Sequence, residues 1–330
     1  MLVTDHPEHP VTGEDSNVLQ AENYQDLVND VLYFVKQGMD SGVIRLTNYP
    51  RDVETDLNNA CLEVARDAPL GAYAVDYIEH DCTRVVKYYE ATIHITYRRT
   101  QEQIQSIKNV TGSSAIRQVL QEKLTHFSPE AVLQIAYFRE DEDYISDLIR
   151  QAYYDAPAAA LGMPEYTVTL YPEEHGQERI VEILLTYAEP ETQLRRKSQQ
   201  LLQQAELLET SFQGLTGAKA AEAIHALLRQ QADDAPDGEG VTAYDALLEG
   251  RADSEGMALA FQLLCEIEGL DCRVVQGMRN GQPHFWNVFA LSPGRYAHVD
   301  ASGGDTLLLS DDAFSALGYA WDRDEIPACL

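Results

Sequence analysis

The sequence predicts an α+β protein with three structured parts, and three observations support this fold class. Over residues 24–205, stretches with the two-residue period of strands alternate with stretches of helical period. The order of these stretches repeats after about 90 residues. The last part of the chain combines an apolar helix with two strand-like segments joined by a turn signal. We therefore expect helices packed on antiparallel sheets throughout.

The composition is typical of a folded protein that avoids polyanions. Of the 330 residues, 45% are hydrophobic and 24% are charged, as in ordinary globular proteins. The 54 acidic residues outnumber the 24 basic ones and give a formal net charge of -30. Because this charge repels phosphate backbones, we expect no nucleic-acid partner. Every apolar run is far shorter than the roughly 20 residues that span a bilayer, so we expect no transmembrane segment.

The cysteines do not indicate a metal or redox site. They are odd in number and lack the close paired spacing of a zinc ribbon or a Cys-x-x-Cys motif. We therefore expect mostly buried thiols, no metal ion and no cofactor. The residues concerned are Cys61, Cys82, Cys265, Cys272 and Cys329.

The first two structured parts are predicted to be tandem modules. Residues 1–23 lack an apolar period and predict a flexible N-terminus. The first module spans residues 24–127 and the second residues 128–205, and each has the predicted order β-α-β-β-α. In the first module, a helix over 24–36 precedes a helix at 52–66 and strands at 43–49, 73–78 and 84–97. In the second module, a helix at 143–154 accompanies strands at 132–138, 166–171 and 179–187.

The third part, residues 206–330, contains the residue types from which an active site is built. Ser254 precedes a helix predicted over residues 257–268. Residues 284–291 and 295–301 predict a hairpin, since a Ser-Pro-Gly turn separates them. In that hairpin position 284 lies opposite about position 302, so the His284 imidazole is expected to bond the nearby Asp300 carboxylate.

This order of residues resembles the bacterial transglutaminase-like superfamily, a papain-like group that includes transglutaminases, certain cysteine proteases and peptide N-glycanases. The resemblance covers about 110 residues and rests on the segments 253–257, 283–288 and 296–300. It implies a papain-like core in which an N-terminal helix packs on an antiparallel sheet. In that family a cysteine starts the helix, a histidine opens one strand and an aspartate closes the next. The corresponding residues are Ser254, His284 and Asp300.

A serine at the family's cysteine position implies a degenerate triad. A thiol at a helix N-terminus beside a histidine ionises readily, whereas a hydroxyl needs a base that removes its proton in the transition state. Cys265 cannot replace it, because it lies roughly 16 Å further along the helix. We therefore expect a non-catalytic site, and Asp253 and Met257, which also depart from the family pattern, favour natural drift. A working serine hydrolase and an active enzyme carrying a Cys-to-Ser change stay open as alternatives.

The resemblance implies a binding or structural protein of a bacterial envelope or exterior. Its partner is expected to be a protein or peptide, and Trp286 and Asn287 are the candidate binding residues. For Trp286, Trp321 and His298, core packing is favoured over a binding or competing role, because buried tryptophans are common in small α/β cores. The alternative function is an acyltransferase or hydrolase acting on protein or peptide amides. The oligomeric state is not predicted.

Overall fold

The computed structural model describes residues 18–173, 177–303 and 306–329. The predicted flexible segment, residues 1–23, falls largely on residues 1–17, outside the described part. The structure is α+β, as predicted, and separates into two compact units. One unit contains residues up to 112 together with 131–142 and 168–183, and the other contains 113–130, 143–167 and the chain from 184 onward. None of the helices in the described ranges is long and apolar enough to cross a bilayer.

The first sheet has the strand order β1-β2-β4-β3, with β1 parallel to β2 and the other neighbours antiparallel. Its buried core comes from the apolar faces of two helices and of these strands. Helix α1 begins where the Asn23 side chain accepts a hydrogen bond from the amide of Asp26. The elements are β1 (Val18–Ala21), α1 (Tyr24–Lys36), β2 (Ser41–Thr47), α2 (Val53–Arg66), α3 (Pro69–Ala74), β3 (Val75–Val85) and β4 (Tyr88–Tyr97).

The structure corrects the two strands predicted at 73–78 and 84–97. Residues 69–74 form a helix, because Pro69 suits the first helical turn. The following strands pair as a long hairpin that turns at residues 86–87. Strand β3 lies at the sheet edge and is largely exposed. Polar His80 and Arg84 stand on the side where Ile78 and Cys82 lie, so the apolar alternation is interrupted and does not reveal the strand.

The second sheet has the order β5-β6-β8-β7, again with its first strand parallel to its second. The two sheets therefore have the same strand order. Along the chain, a strand and a helix precede each predicted β-α-β-β unit. The internal duplication itself stays a prediction. The elements are α4 (Gln101–Gln105), β5 (Lys108–Val110), α5 (Ser113–Thr125), β6 (Glu130–Ala136), α6 (Glu142–Tyr154), β7 (Glu165–Tyr171) and β8 (Glu178–Thr186).

The third sheet is antiparallel, with the order β14-β13-β12-β11-β15, and a buried helix packs on β11 and β12. A π-helix over Asp245–Glu249 lies ahead of it. The elements are α7 (Glu191–Glu209), α8 (Gly217–Gln231), β9 (Asp233–Asp234), β10 (Arg251–Ala252), α9 (Ser254–Ile267), β11 (Cys272–Arg279), β12 (Gln282–Ser292), β13 (Arg295–Val299), β14 (Leu307–Leu309), α10 (Asp311–Ala316) and β15 (Tyr319–Ala320).

The β12–β13 hairpin has the predicted register. Asn287 pairs with Val299 and Val288 with His298, so the same register places position 284 opposite position 302. Gly294 turns the chain with a φ of +76°, a conformation that favours glycine. This register brings the start of β12 beside the end of β13, where the candidate site lies.

Candidate functional site

The N-terminus of α9 is fixed by Asp253. Its side chain accepts hydrogen bonds from the amides of Glu255 and Gly256 at 2.9 and 3.1 Å. The other carboxylate oxygen accepts from the amide of Gly238 at 2.9 Å. A Cβ at Gly256 would lie 2.2 Å from the carbonyl oxygen of Gly240, so only glycine allows this close approach. The loop over residues 232–240 thus also supports the helix end.

Ser254 is the first residue of α9, three residues earlier than the predicted helix start, and is only 8% exposed. Its Oγ accepts a hydrogen bond from the backbone amide of Phe285 at 3.3 Å. This contact places Ser254 beside the residue that follows His284. Within the described residues, no hydrogen bond joins Ser254 Oγ to either ring nitrogen of His284. The three predicted triad residues are therefore gathered at one place, but only two of them are bonded to each other.

His284 and Asp300 form the bonded pair. The distance from His284 Nε2 to Asp300 Oδ2 is 2.8 Å. The side chain of His284 is 12% exposed and that of Asp300 is 1% exposed. Because Nε2 faces the carboxylate as the donor, Nδ1 is the ring nitrogen left for other partners.

Asp300 is the centre of a dense set of hydrogen bonds. Oδ1 accepts from the amide and hydroxyl of Ser302 at 2.9 and 2.6 Å and from the amide of Gly303 at 3.1 Å. Oδ2 also accepts from the hydroxyl of Tyr319 at 2.5 Å. Burial alone would raise the pKa of Asp300, but the bonds and charge of His284, with Ser302 and Tyr319, outweigh it and lower the pKa to about 2. The carboxylate therefore stays ionised at neutral pH.

A second acid, Glu255, lies beside Ser254 and was not identified from the sequence. The hydroxyl of Tyr154, the last residue of α6, donates to Glu255 Oε1 at 2.9 Å. The Tyr154 ring also packs on Phe285, with ring centroids 5.7 Å apart. Burial raises the pKa of Glu255 to about 7, although the bond from Tyr154 opposes the shift. No local pattern could have indicated this pair, because its partners are 101 residues apart in the sequence.

The structure does not support the predicted binding role of Trp286 and Asn287. Both are 0% exposed, so neither offers a surface to a peptide. Trp286 Nε1 donates to His298 Nδ1 at 3.1 Å, and Asn287 Nδ2 donates to the carbonyl of Ala258 in α9 at 3.0 Å. Asn287 ties β12 to α9, whereas Trp286 lies on the opposite face of the strand and packs against Phe314 and Trp321.

One group of metal-type ligands occurs within the described ranges, at His298, Asp311 and Cys329, whose ligand atoms lie within 4.8 Å of one another. The hydrogen bonds argue against a metal. His298 Nδ1 accepts from the N–H of Trp286, so the ring proton sits on Nε2, which donates to Asp311 Oδ1 at 2.9 Å. A metal at Nε2 would displace that proton and leave the ring with none. The group fits a structural cluster, in agreement with the packing role considered for His298.

No described thiol has the features of an activated nucleophile. Four of the five cysteines are buried and Cys82 is partly buried. Burial raises the pKa of Cys61 and Cys329 to about 12 and the pKa of Cys272 well above its usual range. Burial also raises the pKa of Cys82, as does the charge of Glu54. A reactive cysteine needs the opposite shift and access to solvent.

A family match covers the three predicted triad residues. Residues 209–301 match the model of the transglutaminase-like superfamily core. The chain contains a transglutaminase-like core. The match includes α9, β11, β12 and β13, and therefore Ser254, His284 and Asp300. No curated protein matches the chain significantly.

Three solved structures show distant similarity. The crystal structure of a TGase has 13% identity and a TM-score of 0.30, with 54% of this chain and 52% of that chain covered. A proposed cysteine protease from Cytophaga hutchinsonii has 13% identity and a TM-score of 0.29, covering 46% and 64%. A proposed protease from Parabacteroides distasonis has 7% identity and a TM-score of 0.23, covering 82% and 44%. The chain thus spans 44% to 64% of their lengths, and the transglutaminase-like core is assigned by the family match alone.

Replacement of Asp300 tests how much this carboxylate contributes to the stability of the fold. We expect Asp300→Ala to lower the free energy of unfolding at pH 7 by about 3–5 kcal/mol, because several buried donors lose their acceptor. Since the folded pKa of Asp300 is depressed, its contribution is present above pH 4 and is lost as the pH falls toward 2. Urea denaturation at pH 7 and pH 3 measures both effects. The exposed Asp237→Ala is the control, and a loss below about 1 kcal/mol for Asp300→Ala would contradict this account.

Removal of the Tyr154 hydroxyl tests the second acid. Since its hydrogen bond lowers the pKa of Glu255, we expect Tyr154→Phe to raise that pKa further above 7. Carbon-detected NMR of the Glu255 carboxyl gives the titration midpoint directly. The exposed Tyr137→Phe should leave it unchanged, and an unchanged or lower midpoint in Tyr154→Phe would show that the hydroxyl does not act on Glu255.

Proposed function

We propose that the chain is a non-catalytic protein that binds proteins or peptides, built on a transglutaminase-like core with Ser254 in the nucleophile position. The arrangement of Ser254 supports this most strongly. Its buried Oγ accepts the amide hydrogen of Phe285, and no described hydrogen bond joins it to His284. A serine becomes nucleophilic only when a base removes its proton during attack, so a hydroxyl without a hydrogen bond to the imidazole lacks the contact through which that base would act.

The surroundings of Ser254 also disfavour acyl transfer. The Asp253 carboxylate takes up the first amides of α9, which would otherwise stabilise an anion at residue 254. Glu255 places a second carboxyl group on the other side. Neither acid bonds to His284 in the described residues, so neither extends the triad.

The intact pair of His284 and Asp300 favours a second candidate function. An ionised Asp300 orients the imidazole as it does in catalytic triads, and His284 keeps some exposure. A hydrolase or acyltransferase acting on protein or peptide amides through Ser254, or through a cysteine native to that position, would use the same pair. The two candidates differ in one measurable property, which is turnover that depends on residue 254.

The predicted division into 24–127, 128–205 and 206–330 belongs to the same proposal. The shared strand order of the first two sheets supports an assignment of residues 24–205 to two related accessory modules. In this proposal they contribute further contact surface, and the core contributes the site described above.

Turnover assays decide between the two candidates. Wild type, Ser254→Ala and Ser254→Cys are compared with a blocked glutamine dipeptide plus hydroxylamine, and with p-nitrophenyl acetate. We expect wild type to equal Ser254→Ala, and Ser254→Cys to exceed both by at least about tenfold, because His284 can take the proton of a thiol, with a free pKa of about 8.5, far more easily than that of a hydroxyl.

The control adds His284→Ala to Ser254→Cys and should remove the gain, since the thiol then loses its base. Wild-type turnover that disappears in Ser254→Ala would instead establish the second candidate. The same result would reject the non-catalytic assignment.

A further inference from the structure

Strand β11 has one free edge. It pairs with β12 over its whole length, from Cys272 to Arg279. On its other side β15 pairs only with Met278 and Arg279. Among the described residues, positions 272–277 therefore have no neighbouring strand on that side. Such an edge presents unpaired backbone groups to any chain that can lie beside it.

The hydrogen bonds identify which backbone groups face this edge. The amide of Val274 donates to the side chain of Gln262 at 2.8 Å, so it points away from β12. Because orientation alternates along a strand, Gln276 also points outward. Met278, two residues later, pairs with β15 and so follows the same alternation. The free groups thus include the amide and carbonyl of Gln276 and the carbonyl of Val274.

A cleft of about 640 Å³ opens along this edge. Its walls include Tyr154 at the end of α6 and Trp321 and Ile326 after β15. The cleft forms because the chain leaves β11 after Ala320 and does not continue the pairing. Its volume is within the usual range for ligand-binding clefts in proteins, roughly 300–1,000 Å³.

The charges lining the cleft are unbalanced. Its arginines all have acidic partners: Arg117 pairs with Asp155, Arg150 with Asp147, and Arg273 with Asp271. Three acids of the lining, Glu266, Asp322 and Glu325, form no ion pair within the described residues. The chain as a whole also has a formal net charge of -30. The cleft therefore favours a cationic ligand.

We propose that an extended peptide carrying lysine or arginine adds to β11 as an extra strand. Its backbone bonds the free groups of Gln276 and the carbonyl of Val274, and its cations face the three unpaired acids. Gln262 already satisfies the amide of Val274, which limits the pairing to the part of the edge nearer the site. Gln276 lies opposite Phe285, whose amide donates to Ser254 on the far side of β12, so the added strand runs at the level of Ser254 but is separated from it by β11 and β12. This inference rests on the proposed function only in taking a peptide as the partner.

Selection from a library of random twelve-residue peptides displayed on phage tests the proposal with the full chain. We expect enriched sequences to contain lysine or arginine. A synthetic copy of the strongest one is then measured by fluorescence polarisation at pH 8, because burial raises the pKa of Glu266 to about 7. Gln276→Pro removes the outward amide without touching the ladder to β12, and proline is tolerated at such an edge. We expect it to weaken binding at least tenfold, and Gln276→Ala less than twofold.

Two further measurements keep the result independent of any folding defect. Two N-methylated versions of the peptide are compared, one methylated at its odd positions and one at its even positions. Only one of them should bind wild type at least tenfold more weakly, because only every second amide of the added strand points toward β11. The double change Asp322→Lys with Glu325→Lys should weaken binding at least fivefold, whereas Glu206→Lys, on exposed helix α7, should not.

Enrichment no better than selection without protein overturns the proposal. So does binding that Gln276→Pro and N-methylation leave unchanged. If no peptide binds while wild type remains inert in the turnover assays, the strand-addition proposal fails and the non-catalytic assignment of Ser254 stands. If a peptide binds as expected while wild type turns over substrate, the non-catalytic assignment fails and the peptide site stands.

Discussion

The buried carboxylate of Asp300 is the constraint on which the core depends. A charge removed from water is costly unless donors surround it. Here those donors come from three places: His284 in β12, Tyr319 in β15, and the residues that follow β13. The carboxylate therefore joins the centre, the edge and the end of the third sheet. It also fixes the orientation of the His284 imidazole, so the same buried carboxylate orders the site and stabilises the fold.

This double role does not depend on the residue at position 254. Asp300 accepts hydrogen bonds from Tyr319 and Ser302 as well as from His284, so the stability of the fold alone requires the carboxylate. At the end of α9, Asp253 accepts from the first amides of the helix and Ser254 Oγ accepts from the Phe285 amide. The imidazole is thus oriented by a carboxylate, while the first amides of α9 are already bonded to Asp253.

Local patterns were sufficient for much of the fold and for half of the site. The spacing of Leu27, Val31 and Val35 predicted α1 with its observed bounds, and the Ser-Pro-Gly turn set the register that joins His284 to Asp300. These features depend on residues close in sequence. The burial of Trp286 could not be predicted, because an aromatic residue on a strand has the same pattern whether its face meets other side chains, here Phe314 and Trp321, or solvent. The contact of Tyr154 with Glu255 depends on how distant segments pack, and it leaves no local signal.

The central claim is that the Ser254 hydroxyl is not activated, and its reactivity measures this most directly. Wild-type protein is incubated with a fluorophosphonate probe, which phosphonylates serines that a histidine has activated. Intact-mass analysis and peptide mapping then report any adduct. The account predicts an unchanged mass under conditions in which a serine protease is fully labelled. An adduct on Ser254 that is absent from His284→Ala would contradict it.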